Sequence, residues 1–215
     1  MKKIINLTLI VTMMLGLVVL TGCDKNANGG NTAKKKNTTD ISYTHGKGTI
    51  TLSVPKNEDG TAKYEFTKDK PEGLKVSATF YLVTDNTILG FSTSGLSYNT
   101  SKKYEDKYGK KDASFAGYLE FIEDEELFNK KINLPGLEQF KINDRDALRY
   151  YSRVGSSGNY TYNGYFYRVG VDDIYPGSSL GILVSYKGEE KPTEAKEFDQ
   201  ETLDIINSLK VEANA

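Results

Sequence analysis

Tryptophan is missing from this 215-residue chain, cysteine occurs once, as Cys23, and histidine once, as His45. A single cysteine excludes an internal disulfide, so stability has to come from an ordinary hydrophobic core. One cysteine and one histidine fall short of the several thiolate or imidazole ligands that zinc takes. His45 lies in "SYTHGKG", where its neighbours are polar or glycine, whereas a Ser–His or Cys–His device needs a histidine buried beside its nucleophile. No Walker loop or dinucleotide glycine motif is present, and Gly155-Ser156-Ser157-Gly158 lacks the spacing of a nucleophile elbow. The absence of tryptophan also weakens a sugar-stacking site. No metal and no cofactor are expected, and the chain reads as non-catalytic.

The amino end is more informative. Lys2 and Lys3 precede an apolar run from Leu7 to Leu20, which ends in Leu20-Thr21-Gly22-Cys23. A short basic head, a brief apolar core and small residues before a cut site describe a secretory signal peptide over residues 1–22. The run is too short for a membrane span, which takes about 20 apolar residues. Leu20-Thr21-Gly22-Cys23 resembles the bacterial lipobox. That resemblance implies lipidation of Cys23, which then becomes the first residue of the mature protein. Two acyl chains give stable anchoring where one gives marginal binding, so the expected location is the outer face of the cell membrane.

Asp24 to Thr39 carries no apolar side chain larger than alanine and is rich in Asn, Gly, Thr and Lys. Such a stretch cannot bury enough surface to offset its ordering entropy and reads as a flexible tether. Residues 1–39 hold six lysines against Asp24, a balance of +5, which leaves −6 for residues 40–215 in a chain of net −1. An acidic globular part is poorly suited to nucleic acid.

Residues 40–215 suit one domain. "GTITLSVP" places Ile50, Leu52 and Val54 on one face of a strand. "AKYEFTK", "LKVSATFYLVT" and, after a turn at Asp85-Asn86, "TILGFST" extend this to a four-strand antiparallel meander. Asp112 then caps a helix with Phe115, Tyr118, Leu119 and Ile122 inward and an outer face of Glu120, Glu123, Asp124, Glu125 and Glu126. Those carboxylates lack the alternation and central glycine of a calcium loop and read as a solvated face. The strands "LEQFKI", "RDALRYYSRV", "YFYRVGV" and "SLGILVSY" follow, and a helix with Phe198, Thr202, Ile205, Ile206 and Leu209 inward closes the chain. This order is α+β, an antiparallel sheet flanked by helices.

"KINDRDALRYYSRV", "YFYRVGV", "LGILVSY" and the closing "LDIINSLKV" together resemble the PsbP/Mog1-like superfamily. Ile142, Asn143 and Ala147 fit its turn into a long strand, Ile206, Ser208 and Leu209 its last helix, and Val54-Pro55 the end of its first strand. The long acidic middle, from Asp106 to Lys131, departs from the pattern. The resemblance implies an antiparallel sheet flanked by helices and a binding or accessory role, with no catalytic residues to carry over.

From Tyr150 to Val171 the chain is dense in tyrosine and glycine. "GSSGN" reads as a flexible loop and Asn163-Gly164 as a hairpin turn. Tyr165, Tyr167, Val169 and Val171 share one face of the returning strand, with Phe166 and Arg168 on the other. On the preceding strand Leu148, Tyr150 and Val154 alternate with Arg149, Tyr151 and Arg153. Tyrosine is a strong strand former, which accounts for most of the cluster. The sharper alternative is a partner-binding patch of Arg149, Tyr151, Arg153, Tyr160, Tyr162 and Arg168, residue types enriched at hot spots. The expected function is a membrane-anchored extracytoplasmic lipoprotein that binds or supports another protein. The alternatives are a solute-capture lipoprotein and a carboxylate-based cell-envelope hydrolase.

Overall fold

A computed structural model describes residues 37–72, 74, 77–96, 102–109, 114–124, 134–156, 159–187 and 197–214. For Lys103, Tyr104 and residues 153–156 and 159–163 it describes the backbone alone. The expected signal peptide, Cys23 and the tether up to residue 36 lie outside the described residues.

The first strand, β1 (Thr38–His45), turns through Gly46 and Lys47 into β2 (Gly48–Pro55). Thr38 and Thr39, expected in the tether, therefore belong to the fold. Gly46 takes a left-handed φ of 56°, which a two-residue hairpin turn requires. On the other side of β2 lies the last strand, β10 (Lys210–Ala213), giving a three-stranded sheet in the order β1-β2-β10.

The second sheet joins two meanders. β3 (Phe66–Thr67), β4 (Phe80–Val83) and β5 (Thr87–Gly95) form one. The other comprises β6 (Glu138–Ile142), β7 (Arg145–Ser156), β8 (Asn159–Gly170) and β9 (Ser178–Tyr186). They are zipped together along β5 and β9, so the order is β3-β4-β5-β9-β8-β7-β6, antiparallel throughout. The expected four-strand meander is thus corrected: β2 leaves it for the smaller sheet. Within the long alternating stretch from Leu74, Phe80–Val83 form the strand β4. There Tyr81 is as buried as Phe80 and Leu82, because its ring covers Gly90 and its hydroxyl accepts from the Ala78 N–H at 2.8 Å.

Three helices accompany the sheets among the described residues: α1 (Lys102–Tyr108), α2 (Phe115–Glu123) and α3 (Gln200–Asn207). Ser114 caps α2, accepting from the Gly117 N–H at 3.1 Å. The expected cap, Asp112, lies outside the described residues. Glu120 and Glu123 face solvent, while Asp124 ends the helix and accepts from Lys107 and Tyr108. Glu125 and Glu126 are outside the described residues. Asp199 caps α3 by accepting from the Thr202 N–H at 2.9 Å. The chain does not close on this helix but on β10 beyond it.

The small sheet and α3 cover one face of the large sheet. Ile50, Leu52 and Val54 of β2 and Ile205, Ile206 and Leu209 at α3 pack with Leu89, Phe91, Tyr167, Val169, Ile182 and Val184. Each such aliphatic side chain contributes about 1.5–3 kcal/mol when fully buried. Tyr43, Phe80 and Phe91 stack in a row, with ring centroids 4.0 and 5.0 Å apart. On the opposite face α2 lays Phe115 and Ile122 against Leu96 and Leu148. The result is an α+β fold dominated by antiparallel sheet. No helix among the described residues is long and apolar enough to cross a membrane.

Candidate functional site

The tyrosine-rich hairpin is β7 and β8, and Asn163-Gly164 is not its turn. Ser152 pairs with Gly164 and Arg153 with Tyr162, which leaves Asn163 without an opposite residue: a β-bulge. Gly164 has a φ of 136° and passes against β9, conditions that select glycine without any reversal of the chain. The pairing instead runs on to Ser156 and Asn159, into the stretch expected to be a flexible loop.

The β7–β8 register separates the candidate residues. Arg149 pairs with Tyr167 and Tyr151 with Tyr165, so these four share the face that carries the main core. Leu148 pairs with Arg168 and Tyr150 with Phe166 on the opposite face, under α2. Arg149 and Arg168 therefore stand on opposite sides of one sheet and cannot form a single patch. Arg153 and Tyr162 are opposite one another in the register, and Tyr160 is opposite Gly155. The side chains of Arg153, Tyr160 and Tyr162 lie outside the described residues.

On the α3 side Arg149 organises a polar bowl. Its Nε donates to Glu138 at 2.7 Å, and its Nη1 and Nη2 donate to Glu197 at 2.9 and 3.2 Å. The guanidinium lies 4.8 Å from the Tyr165 ring centre, a cation–π distance. Burial works against its charge, but Tyr167, Glu138 and Glu197 more than offset this and raise its pKa. Burial pushes the Tyr165 and Tyr167 hydroxyls up as well, so both stay protonated. The Tyr167 hydroxyl is buried without a well-aligned hydrogen bond.

Beside this cluster lies a cavity of about 190 Å³. Its apolar wall comes from Phe140 of β6 and Leu203 and Ile206 of α3, and its polar wall from Glu138, Arg149 and Asn207. Tyr151 sits at the side of this region, its N–H donating to the Pro135 carbonyl at 2.8 Å and its ring pressed on Gly136. Glu138, Glu197, Leu203 and Asn207 carried no sequence signal, and Ile206 was legible only as an inward position of the last helix. Glu197 is separated from Arg149 by 48 positions, and only the folded register brings them together.

On the α2 side Arg168 has different company. Its Nη1 donates to Ser94 at 3.3 Å and Ser179 at 3.0 Å, and the guanidinium faces the rings of Tyr118 and Phe166 at 5.6 and 5.3 Å. Burial raises the pKa of Tyr118 and Tyr150, and the charge of Arg168 acts against that rise.

Asp172, Asp173 and Asp146 are taken up in contacts of the fold. Asp173 takes a bidentate bond from Arg145 at 2.7 and 2.8 Å, and Arg145 also donates to the carbonyls of Gly170 and Val211. Asp172 accepts from the first N–H of α2 at 2.6 Å. Asp146 pairs with Lys141 at 2.8 Å. No cluster of three or more potential metal ligands occurs among the described residues. His45 ends β1 at the surface, where its carbonyl accepts from Tyr175. The arrangement offers orientation and recognition by arginine and tyrosine.

No family model, curated protein or solved structure matches this chain.

Proposed function

We propose that the protein is a lipid-anchored extracytoplasmic bacterial lipoprotein whose α+β domain is a non-catalytic module that binds or supports another protein. The carrying observation is Leu20-Thr21-Gly22-Cys23 at the end of a short apolar run, with the only cysteine of the chain at its end. The superfamily likeness, PsbP/Mog1-like, belongs to the same proposal. In its support, Asn143 takes a left-handed φ of 51° in the β6–β7 turn and donates to the Leu209 carbonyl at 2.6 Å, tying the turn to the end of α3. The bowl around Arg149 supports recognition over catalysis, because Glu197 gives both oxygens and Glu138 one oxygen to the arginine.

Fatty-acid labelling of cells making the protein tests the anchor. Wild type should take up label and Cys23→Ala should not; label on the alanine variant refutes the lipobox reading. Recovery of a partner from solubilised membranes, lost in Arg149→Ala of unchanged stability, tests the binding role.

The cavity beside Arg149 favours a second reading, capture of a small solute. A ligand present at 100 times its dissociation constant stabilises by about 2.7 kcal/mol, so a thermal-shift screen detects it.

A further inference from the structure

Among the arginines whose side chains are described, Arg145 has Asp173 at 2.7 Å and Arg149 has Glu138 at 2.7 Å and Glu197 at 2.9 Å. Arg168 has no carboxylate partner among the described residues. Its neighbours are the hydroxyls of Ser94, Ser179 and Tyr150 and the rings of Tyr118 and Phe166. Ser94 comes from β5, Ser179 from β9, Tyr150 from β7, Phe166 from β8 and Tyr118 from α2, so five elements converge on one cation.

A guanidinium taken partly out of water without a counter-charge loses hydration that hydroxyls and aromatic faces restore only in part. The two serines bind Nη1, which fixes the plane of the head group. Among the described residues Nε is buried without a well-aligned partner and Nη2 makes no well-aligned hydrogen bond yet is not buried, with the Tyr150 hydroxyl close enough to act on the head group. The side of the fork without a well-aligned hydrogen bond, Nε and Nη2, is the one that carboxylates and phosphates take in bidentate pairing, and the Tyr150 hydroxyl can donate to the same group. The domain is acidic overall, at −6 for residues 40–215, so this held and unopposed cation stands out in an anionic background.

We propose that Arg168, held by Ser94 and Ser179 and flanked by Tyr118 and Phe166, is an oxyanion-binding site on the α2 face of the large sheet. Its ligand is a carboxylate or phosphate group received at Nη2, with Nε joining as the group seats. The site is separate from the Arg149 bowl and depends neither on the lipid anchor nor on a protein partner.

Arginine Nε–Hε spectra of the ¹⁵N-labelled full chain in detergent test this directly, since the sequence contains four arginines, 145, 149, 153 and 168. The signal of Arg168 is assigned with Arg168→Lys, or with Ser179→Ala should the lysine variant fail to fold. Sodium phosphate and sodium acetate are titrated separately, with sodium chloride holding ionic strength constant at neutral pH. The expected result is a saturable shift of the Arg168 signal with a low-millimolar midpoint, while Arg145 and Arg149, already paired, stay fixed. A shift with phosphate alone assigns a phosphate-bearing ligand, and one with acetate alone assigns a carboxylate. An Arg168 signal that neither anion moves, or that chloride moves equally, overturns the proposal.

Discussion

Gly164 runs so close to Val184 that a Cβ placed on it would stand 2.0 Å from the Val184 carbonyl oxygen. The obstacle is backbone of a central strand and cannot swing aside, and the φ of 136° disfavours any L side chain. Gly164→Ala should therefore cost between about 1 and 3 kcal/mol, or more if β9 is displaced. Gly95, at the end of β5, has open space around its Cβ position. Gly95→Ala should change stability by less than about 0.5 kcal/mol. Urea unfolding of the two variants checks the contrast, and equal costs would remove the case for a selected bulge.

Tyr167 separates the ring from the hydroxyl. It is only 2% exposed, and its hydroxyl has no well-aligned partner. Tyr167→Ala should destabilise by about 3–5 kcal/mol, as large aromatic truncations do. Tyr167→Phe should stay within about 1 kcal/mol of wild type, because it removes a polar group that gains little from its site. A large loss in the phenylalanine variant would mean that the contact with Arg149 is a strong hydrogen bond.

Ile206 is 2% exposed on the side of α3 that meets the large sheet. Ile206→Ala should cost about 2–5 kcal/mol. Thermal melting is sufficient to measure it, and a cost below about 0.5 kcal/mol would show α3 to be peripheral.

The Arg145–Asp173 pair makes a pH prediction. The bidentate bond from Arg145 holds the Asp173 carboxyl below its ordinary value of 3.8. The unfolded chain therefore binds more protons than the folded one in that range, so the pair stabilises above about pH 4 and the benefit fades as pH falls lower. Asp173 is 62% exposed, and salt should shrink the effect. Asp173→Asn should flatten the decline in melting temperature between about pH 4 and pH 2. An unchanged slope would show that the pair contributes nothing to acid sensitivity.

Legibility in the sequence followed burial. Ile50, Leu52 and Val54 alternate because one side of β2 is core, and Leu180, Ile182 and Val184 do so in β9. Tyr165, Tyr167, Val169 and Val171 share their buried face as their alternation indicates. β1 left little trace, since "TTDISYTH" turns only Ile41 and Tyr43 toward the core and is mostly hydroxyl-bearing. β10 buries Val211 alone and exists through pairing with residues far away in sequence. Asn163-Gly164 carries the composition of a turn because a bulge with left-handed geometry asks for the same residues. The candidate residues were legible as strand positions. Their separation onto two faces follows from the same alternation, but the partners that give Arg149 and Arg168 different chemistry come from β5, β6, β9, α2 and the segment before α3.

β2 has the first strand of the fold on one side and the last on the other. The Thr49 hydroxyl donates to Asn214, 165 positions along the chain, and the Arg145 head group donates to the Val211 carbonyl. A chain that emerges amino end first can form the β1–β2 hairpin early, but an isolated two-stranded hairpin is marginal in water. Its second flank arrives only with Lys210–Ala213, after every other described strand has been made. The small sheet therefore depends on a strand made long after its hairpin. A product lacking Lys210–Ala213 leaves β2 with an open edge and Ile50 without Val211 beside it. Such a product presents unpaired backbone to proteases or to other chains. Pairing of that four-residue strand is what closes the small sheet around β2.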